Sequence, residues 1–257
     1  MMIRYIPADP AGNLTAIVLS SVAAQDRAKI AAEMMARCPE GFEQVGFADE
    51  TSLTGDLPTL CMMGGEFCGN ATRAFACYAA KVRGRGETRL AISVSGAREP
   101  VPVAVDLRQN RAYAQMPLPY ALEWISVNKQ KIPLVRMEGI DHALLLDAAP
   151  SPEAAERVLA AMPKQDARGV LFVQGGKMTP LVEVAATGTR VWESSCGSGT
   201  VALAWYLAQN LADGMHAFAF DEPGGRLEAR VAMRAGRAAQ IEMGGAVKLG
   251  EEAEIEL

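Results

Sequence analysis

The sequence has 257 residues, of which 50% are apolar and 21% are charged, and its net charge is −5. This composition is typical of a folded globular protein with ample core, and it excludes a disordered or fibrous chain. This net negative charge does not favour binding to nucleic acid or to an anionic membrane surface.

Two further features of the sequence narrow the class of protein. No apolar run approaches the roughly 20 residues that cross a bilayer, and the N-terminus lacks the pattern of a signal peptide, so we expect a cytoplasmic protein. The five cysteines, an odd number without a C-x-x-C pair, are expected to be free thiols. With two isolated histidines besides, we expect no metal site.

The first half of the chain alternates β-rich runs with two helical patterns. Strands are predicted at "IRYIP" and "TAIVLS", followed by an amphipathic helix at "AAQDRAKIAAEMMARC". "EQVGFA" and "PTLCMMG" are the next predicted strands, and a helix then runs from Cys68 to about Arg83. Three strand-like runs separated by turns, "TRLAISVSG", "VPVAVDL" and "RAYAQMP", indicate an antiparallel meander.

The second half repeats this order. Strands are predicted near Lys131–Met137 and His142–Leu146, before a helix at "SPEAAERVLAAM" with a Ser-Pro-Glu start signal. "GVLFVQ" and "TPLVEVA" follow as strands, and a second helix opens at Cys196. "HAFAF", "RLEARVAM" and "AAQIEMGG" complete the pattern.

The two cysteine-led helices also match in sequence. Aligned on Cys68 and Cys196, "CGNATRAFACYAA" and "CGSGTVALAWYLA" share Cys, Gly, Thr, three Ala and Tyr. Repeated order and repeated sequence predict an α+β fold of two pseudo-symmetric halves, each a mixed or antiparallel sheet wrapped around a central helix. We place these halves at residues 1–117 and 118–257.

A thiol at the start of a helix has a particular chemistry. The first N–H groups of a helix lack partners and carry partial positive charge, so they bind a carboxylate and lower the pKa of a neighbouring thiol. The backbone of Gly69 and Gly197 allows a ligand to approach closely. A structural thiol is the ordinary reading of one such cysteine, but two in matched positions of a repeat favour function.

The duplication suggests how the two thiols act together. Two helices related by a pseudo-twofold axis would point their N-termini at a shared cleft, with a thiol on each side of a substrate α-carbon. One cysteine would remove the α-proton and the other would supply a new one, inverting the centre. We therefore predict that Cys68 and Cys196 are the catalytic pair of a racemase or epimerase that uses no cofactor.

Other polar residues carry weaker signals. Glu66 and Glu193 precede the cysteines and fit a substrate ammonium group or a helix cap equally well. His142 is an ordinary strand histidine or a substrate contact. Asn13 follows a Pro-Ala-Gly turn, and Gln44 suits a solvated strand.

Several motifs resemble those of the diaminopimelate epimerase-like superfamily of two-cysteine, cofactor-independent racemases and epimerases. They are Gly12-Asn13, Cys68-Gly69-Asn70 and Cys196-Gly197-Ser198-Gly199, in the order and spacing of that superfamily. Within it the chain resembles in particular the histidine racemases of staphylopine-type metallophore pathways. The resemblance implies an amino-acid substrate, histidine in particular, and a homodimer. The substrate-site residues that it implies are Asn13, Gln44, Asn70, Glu193 and the Gly197–Gly199 backbone.

Two departures separate the chain from diaminopimelate epimerase itself. Ser194 follows Glu193 where that enzyme has Arg, and Ile140-Asp141-His142 stands in place of Asn-Pro-His. Without these groups a second amino-acid centre would be buried without charge partners, so a substrate with one such centre fits better. Diaminopimelate epimerase, another amino-acid racemase, a proline or hydroxyproline epimerase and a non-catalytic amino-acid binding protein are the alternatives.

Overall fold

The computed structural model describes residues 1–185 and 188–257. The chain forms two units, of which unit 1 consists of Met1–Gln115 with Gly244–Leu257 and unit 2 of Met116–Met243. The sequence analysis left the C-terminal segment with the second half. Its last two strands pair with the first strand of the chain, which joins this segment to unit 1.

The elements follow in chain order. The strands of the N-terminal part are β1 Met2–Asp9, β2 Thr15–Val18, β3 Gln44–Asp49, β4 Thr59–Met62, β5 Glu87–Val94, β6 Val101–Asp106 and β7 Arg111–Gln115. They are followed by β8 Ala121–Val127, β9 Gln130–Arg136, β10 Ile140–Leu146, β11 Ala167–Gln174, β12 Lys177–Val184, β13 Thr189–Trp192, β14 Gly214–Glu222, β15 Gly225–Arg234, β16 Arg237–Ala246, β17 Lys248–Leu249 and β18 Ala253–Glu256. The α-helices are α1 Arg27–Arg37, α2 Gly69–Val82, α3 Pro152–Ala161 and α4 Gly197–Ala208, and short 3-10 helices lie at Ala24–Asp26 and Glu50–Ser52.

Strand pairing follows the same order in both units. In unit 1, β1–β2 is antiparallel, β2–β3 parallel, β3–β4 antiparallel, β4–β5 parallel, and β5–β6 and β6–β7 antiparallel. In unit 2, β9–β10 is antiparallel, β10–β11 parallel, β11–β12 antiparallel, β12–β14 parallel and β14–β15 antiparallel. In each unit a helix, α1 or α3, connects the first parallel pair, as parallel strands require. The predicted α+β repeat is confirmed.

Each unit contains one buried helix that begins directly after a cysteine. Apart from its last residues, α2 is buried along nearly its whole length and packs against apolar side chains of β4 to β7. Its small alanine side chains let the strands of the sheet approach closely. Burial on nearly all sides is typical of a helix that lies inside a core. Gly84, at φ +62°, follows the end of the helix in the left-handed conformation common there. The equivalent α4 contacts β10, β14 and β15.

Four observed strands are not among those predicted from the sequence, namely β8, β13 and the short C-terminal strands β17 and β18. Strand β8 pairs with β9 but has a largely exposed face, and β13 is exposed along its whole length. Neither strand therefore carries the apolar alternation that identifies a strand in a sequence. In the described ranges, no helix combines the length and apolarity needed to cross a membrane.

Candidate active site

Cys68 caps the N-terminus of α2. Its backbone is extended, with φ −127° and ψ 113°, and its Sγ accepts a hydrogen bond from the backbone N–H of Ala71 at 3.5 Å. Thr72 fixes the same turn, because its hydroxyl donates to the carbonyl of Cys68 at 2.7 Å. The thiol thus lies at the positive end of the helix dipole, as predicted from its place in the sequence.

Three amide side chains extend from Cys68 as one hydrogen-bonded network. The Cys68 thiol donates to Gln44 Oε1 at 3.1 Å, and Gln44 Nε2 donates to Asn13 Oδ1 at 2.6 Å and to Thr15 Oγ1 at 2.8 Å. Asn70 Nδ2 donates to the same Asn13 oxygen at 3.2 Å. Three of the predicted substrate-site residues of unit 1 therefore lie together beside the thiol.

A strained turn holds Asn13 in this network. Ala11 and Gly12 have φ values of 66° and 92°, and the Gly12 N–H donates to Asp9 Oδ1 at 2.6 Å. Asn13 Nδ2 also donates to Glu43 Oε2 at 2.8 Å. The Pro-Ala-Gly-Asn stretch is thus a turn between β1 and β2, and it brings Asn13 to the thiol.

Glu66 and Gly69 lie on either side of Cys68. Gly69 is the buried first residue of α2. Glu66 is exposed, and its carbonyl accepts the Ser95 hydroxyl at 2.9 Å. Burial raises the pKa of the Cys68 thiol, the hydrogen bond from the Ala71 N–H lowers this pKa, and the charge of Glu66 raises it further.

Arg73 completes the polar part of unit 1, and the sequence analysis overlooked it. Its side chain is fully buried in α2, and burial lowers its pKa to about 10. Its Nη2 donates to Asn70 Oδ1 at 2.9 Å, which connects it to the amide network. The sequence does contain a signal for Arg73, because an arginine stands within the largely apolar run of α2.

Cys196 has the same geometry in unit 2. It caps α4 with φ −122° and ψ 102°, and its Sγ accepts from the Gly199 N–H at 3.4 Å. Ser198 Oγ lies 3.5 Å from the sulfur. A side chain at Gly199 would meet Leu171 Cδ2 at 2.9 Å and the sulfur at 3.3 Å, so glycine keeps the thiol in this position.

Glu222 binds the N-terminus of α4 from the end of β14. Its Oε2 accepts the backbone N–H of Cys196 at 2.6 Å, and its Oε1 accepts the Thr200 hydroxyl at 2.6 Å. A buried carboxylate is favourable there because it faces the positive end of the helix. Glu222, which was not predicted as a site residue, also pairs with Gly225 in the hairpin between β14 and β15.

Negative charge surrounds Cys196. Burial raises the pKa of this thiol well above its usual value, the charges of Glu193 and Glu222 raise it further, and the Ser198 hydroxyl lowers it. Glu193, predicted as a substrate contact, therefore lies close enough to Cys196 for its charge to raise the pKa of the thiol. Cys196 itself is buried, whereas Cys68 is partly exposed.

The buried imidazole of His142 forms a hydrogen bond with Ser198. The ring is fully buried, and its Nε2 lies 2.9 Å from Ser198 Oγ. Burial lowers the pKa of His142 to about 3, so the imidazole is neutral at physiological pH. The neighbouring strand makes room for the ring at Gly169, where a Cβ atom would lie 2.1 Å from His142 Nδ1.

Within residues 1–185 and 188–257, no group of three or more His, Cys, Asp or Glu side chains is arranged to hold a metal ion. The polar groups available for chemistry in the two units are thus the two helix-capping thiols, the amides beside Cys68, and the hydroxyl and carboxylates beside Cys196.

Comparison with known proteins identifies the family of this chain. The family model described as "Histidine racemase CntK N-terminal domain" matches residues 2–255. A histidine racemase of Fusobacterium nucleatum subsp. nucleatum is 32% identical over 222 residues, which are 80% of this chain and 81% of that protein.

Solved structures share the fold. A phenazine biosynthesis protein of the PhzF family from Enterococcus faecalis matches with a TM-score of 0.68 and 17% identity, over 100% of both chains. A probable proline racemase from Agrobacterium radiobacter matches with a TM-score of 0.67 and 14% identity, over 99% of this chain and 93% of that one. Together with the family model, these likenesses lead to one conclusion: the chain belongs to the histidine racemase CntK N-terminal domain family, a family of amino-acid racemases.

Proposed function

We propose that this protein interconverts L- and D-histidine without a cofactor, with Cys68 and Cys196 as its acid–base pair. The observation that carries the proposal is the repeated geometry of the two thiols. Each caps a buried central helix, and each sulfur accepts the N–H of the residue three positions further on, Ala71 or Gly199. A proton-transfer group and a positively polarised helix end therefore occur together twice in one chain.

The chemistry balances without an added group. One cysteine, as thiolate, takes the α-proton and becomes a thiol, leaving a carbanion whose charge spreads into the substrate carboxylate. The other cysteine, as thiol, gives its proton to the opposite face of the α-carbon and becomes the thiolate. The N–H groups of the helix ends stabilise the charge that develops on the carboxylate. The reverse direction exchanges the roles of the two sulfurs.

The residues proposed to bind substrate are those beside the two thiols. Asn13, Gln44 and Asn70 offer amide donors and acceptors next to Cys68. Next to Cys196, Glu193 offers a negative charge for the substrate ammonium group. The Gly197–Gly199 backbone forms the first turn of α4, whose N–H groups are proposed to bind the substrate carboxylate. Histidine as the substrate rests on the family and on the relative's activity.

Solvent exchange tests the proposal directly. The protein is incubated in D₂O, without pyridoxal phosphate, with L-histidine, proline, hydroxyproline or diaminopimelate, while α-deuterium uptake and chirality are followed. We expect uptake and inversion with histidine. If only another of these amino acids exchanges its α-proton, that amino acid and not histidine is the substrate. Binding without exchange would identify an amino-acid binding protein.

Single variants test the role of each thiol. Cys68→Ser and Cys196→Ser should each lower the racemisation rate by about 10²–10⁴-fold, the usual contribution of a general acid or base. Cys61→Ser is the matched control, because Cys61 lies in β4 away from any helix start, and it should keep the wild-type rate. Full activity in either of the first two variants would contradict the two-base mechanism.

We also propose that the protein acts in the cytoplasm as a homodimer. The dimer follows from the family resemblance, and the reducing cytoplasm suits five cysteines that are all free thiols. Light scattering coupled to size exclusion should give twice the 27.3 kDa mass of the chain. A monomer mass at micromolar concentration would contradict the dimer.

A further inference from the structure

Arg73 occupies a position that the second copy of the repeat fills with valine. When α2 and α4 are aligned on Cys68 and Cys196, Arg73 corresponds to Val201, and both side chains are fully buried. Burying a guanidinium group costs far more than burying an aliphatic side chain. Val201 shows that the fold itself needs only an apolar residue here, so the arginine requires another explanation.

The acceptors bound to Arg73 are neutral oxygens. Nη2 donates to Asn70 Oδ1 at 2.9 Å and to the Pro10 carbonyl at 3.4 Å, and Nη1 donates to the carbonyls of Gly245 at 3.2 Å and Ala112 at 3.4 Å. These bonds engage the two terminal nitrogens without neutralising the charge. Arg73 Nε has no hydrogen-bond partner in the described part of the chain. The arginine therefore does not serve as half of a buried ion pair.

The donors of Arg73 fix the Asn70 end of the amide network, while the Glu43 carboxylate, which only accepts, holds the Asn13 nitrogen at the other end. A guanidinium group only donates, so the Asn70 oxygen must face Arg73 and the Asn70 nitrogen must face Asn13. The Asn13 oxygen then accepts from both Asn70 and Gln44. With its nitrogen committed to Asn13, Gln44 turns its oxygen to the Cys68 thiol. Without Arg73, the Asn70 oxygen would lose this donor, and the Asn70 amide could rotate away from Asn13.

The charge of Arg73 also reaches Cys68. Burial lowers the pKa of Arg73, and the negative charges of ionised Cys77 and Cys68 raise it again. Attraction between a guanidinium and a thiolate is mutual, so Arg73 favours the ionised form of Cys68. At Cys196 the neighbouring charges are carboxylates and have the opposite effect.

We propose that Arg73 is a positioning residue for the Cys68 half of the racemase site. It holds the Asn70 amide against Asn13, so that Asn70 and Glu43 together fix the amide network beside the thiol, and its buried positive charge favours the thiolate of Cys68. The role rests on the proposed function, because it assumes that Cys68 transfers the α-proton. It distinguishes the two thiols, since α4 has an apolar side chain at the same position.

Variants of Arg73 test this role with a readout that does not need racemase activity. Alkylation of Cys68 and of Cys196 by iodoacetamide is followed separately by peptide mass spectrometry between pH 6 and 10. In Arg73→Met we expect Cys68 alkylation at pH 7.5 to fall about tenfold and its midpoint to move about one pH unit higher, as for the loss of one nearby charge. The alkylation of Cys196 should stay unchanged. Arg73→Lys should recover part of the Cys68 rate.

A kinetic cycle tests whether Arg73 acts through Asn70. Arg73→Met should lower kcat/KM more than tenfold in the wild-type background and by a smaller factor when Asn70 is already alanine, because only the effect of the charge then remains to be lost. Arg83→Met is the control on the same helix. Arg83 bonds Leu53 and Gly55 at the far end of α2, so both readouts should keep wild-type values.

The outcomes separate the two hypotheses. A folded Arg73→Met protein with wild-type Cys68 alkylation, or an equal kinetic loss in both Asn70 backgrounds, would overturn the role of Arg73. If Arg73→Met does not fold, Arg73→Lys decides by the same two measurements. A wild-type protein without α-proton exchange would remove the proposed function, while the alkylation profile would still report on Arg73 itself.

Discussion

The carboxylate of Glu222 accepts the backbone N–H of Cys196 at 2.6 Å. This bond places a negative charge at the start of α4, whereas a buried positive charge lies near the start of α2. The two thiols therefore have matched backbones and opposite electrostatic surroundings. Sequence repetition alone would make them equivalent.

Replacing Glu222 by glutamine should make Cys196 more reactive. Gln keeps an oxygen for one of the two hydrogen bonds but removes the charge, so the pKa of the Cys196 thiol should fall. We expect Cys196 alkylation by iodoacetamide at pH 7.5 to be several-fold faster, at a stability cost of about 1–2 kcal/mol from the weaker cap. Asp221→Asn is the control, because the adjacent Asp221 is exposed and pairs with Arg226. An unchanged alkylation rate would show that Glu222 acts only as a cap.

Gln44 variants should separate hydrogen bonding from charge at Cys68. Gln44→Leu removes the donor to Thr15 and one of the two donors to the Asn13 oxygen, which should cost about 1–3 kcal/mol in the free energy of unfolding. Gln44→Glu keeps the shape but places a carboxylate against the thiol, which should raise the pKa of Cys68. The pH profile of kcat/KM for Gln44→Glu should therefore move to higher pH. A profile that coincides with wild type would contradict the contact between Gln44 and the reacting sulfur.

Stability should decrease as the pH falls through the range in which His142 titrates. Burial lowers the pKa of His142 to about 3 in the folded protein, against about 6.5 in an unfolded chain. Between these values the unfolded state binds the proton and the folded state does not. This contribution is complete above pH 6.5 and decreases by up to about 1.4 kcal/mol per pH unit below it.

Urea unfolding at pH 7, 6 and 5 measures this loss. His142→Phe should flatten the dependence, because it removes the titrating group, whereas His216→Gln should retain it. Equal slopes in wild type and His142→Phe would show that other groups account for the pH dependence.

Gly169 should not tolerate a side chain. The Cβ atom of Gly169→Ala would lie 2.1 Å from His142 Nδ1, so the ring would have to leave Ser198 or the strand would have to move. We expect a loss of about 1–3 kcal/mol in stability, as for other overpacked cores. Gly55→Ala is the control, since its nearest neighbour, the Ser52 carbonyl, is 3.5 Å away at ordinary contact distance. A melting temperature equal to that of wild type would contradict the close packing of His142.

The sequence predicted both central helices because their signals are local. A cysteine, a glycine and a run of small apolar residues mark each start, and α2 and α4 begin one residue after the cysteines. Strand β8 was missed because its hairpin turn is unusual. Asn128 and Lys129 both have positive φ, which is normally signalled by Asn-Gly.

The residues missed at the site depend on contacts distant in sequence. Arg73 bonds Gly245 across 172 positions, and Glu222 reaches Cys196 across 26. Neither partner can be read from a local pattern. The mismatch between Arg73 and Val201 was nevertheless visible in the aligned helices, and a charged residue opposite an apolar one in a repeat is a useful signal.

The return of β17 and β18 to β1 has a consequence for how the protein is made. Ile3 faces Ile255 and Ala8 faces Leu249 in these pairs, so unit 1 needs a segment that the ribosome synthesises after all of unit 2. Unit 2 is continuous in the chain and can close during translation, while β1 waits with an unpaired edge. Although β1 emerges before all of unit 2, it is thus among the last strands to be fully paired, and an open strand edge is a site for chaperone binding or for aggregation.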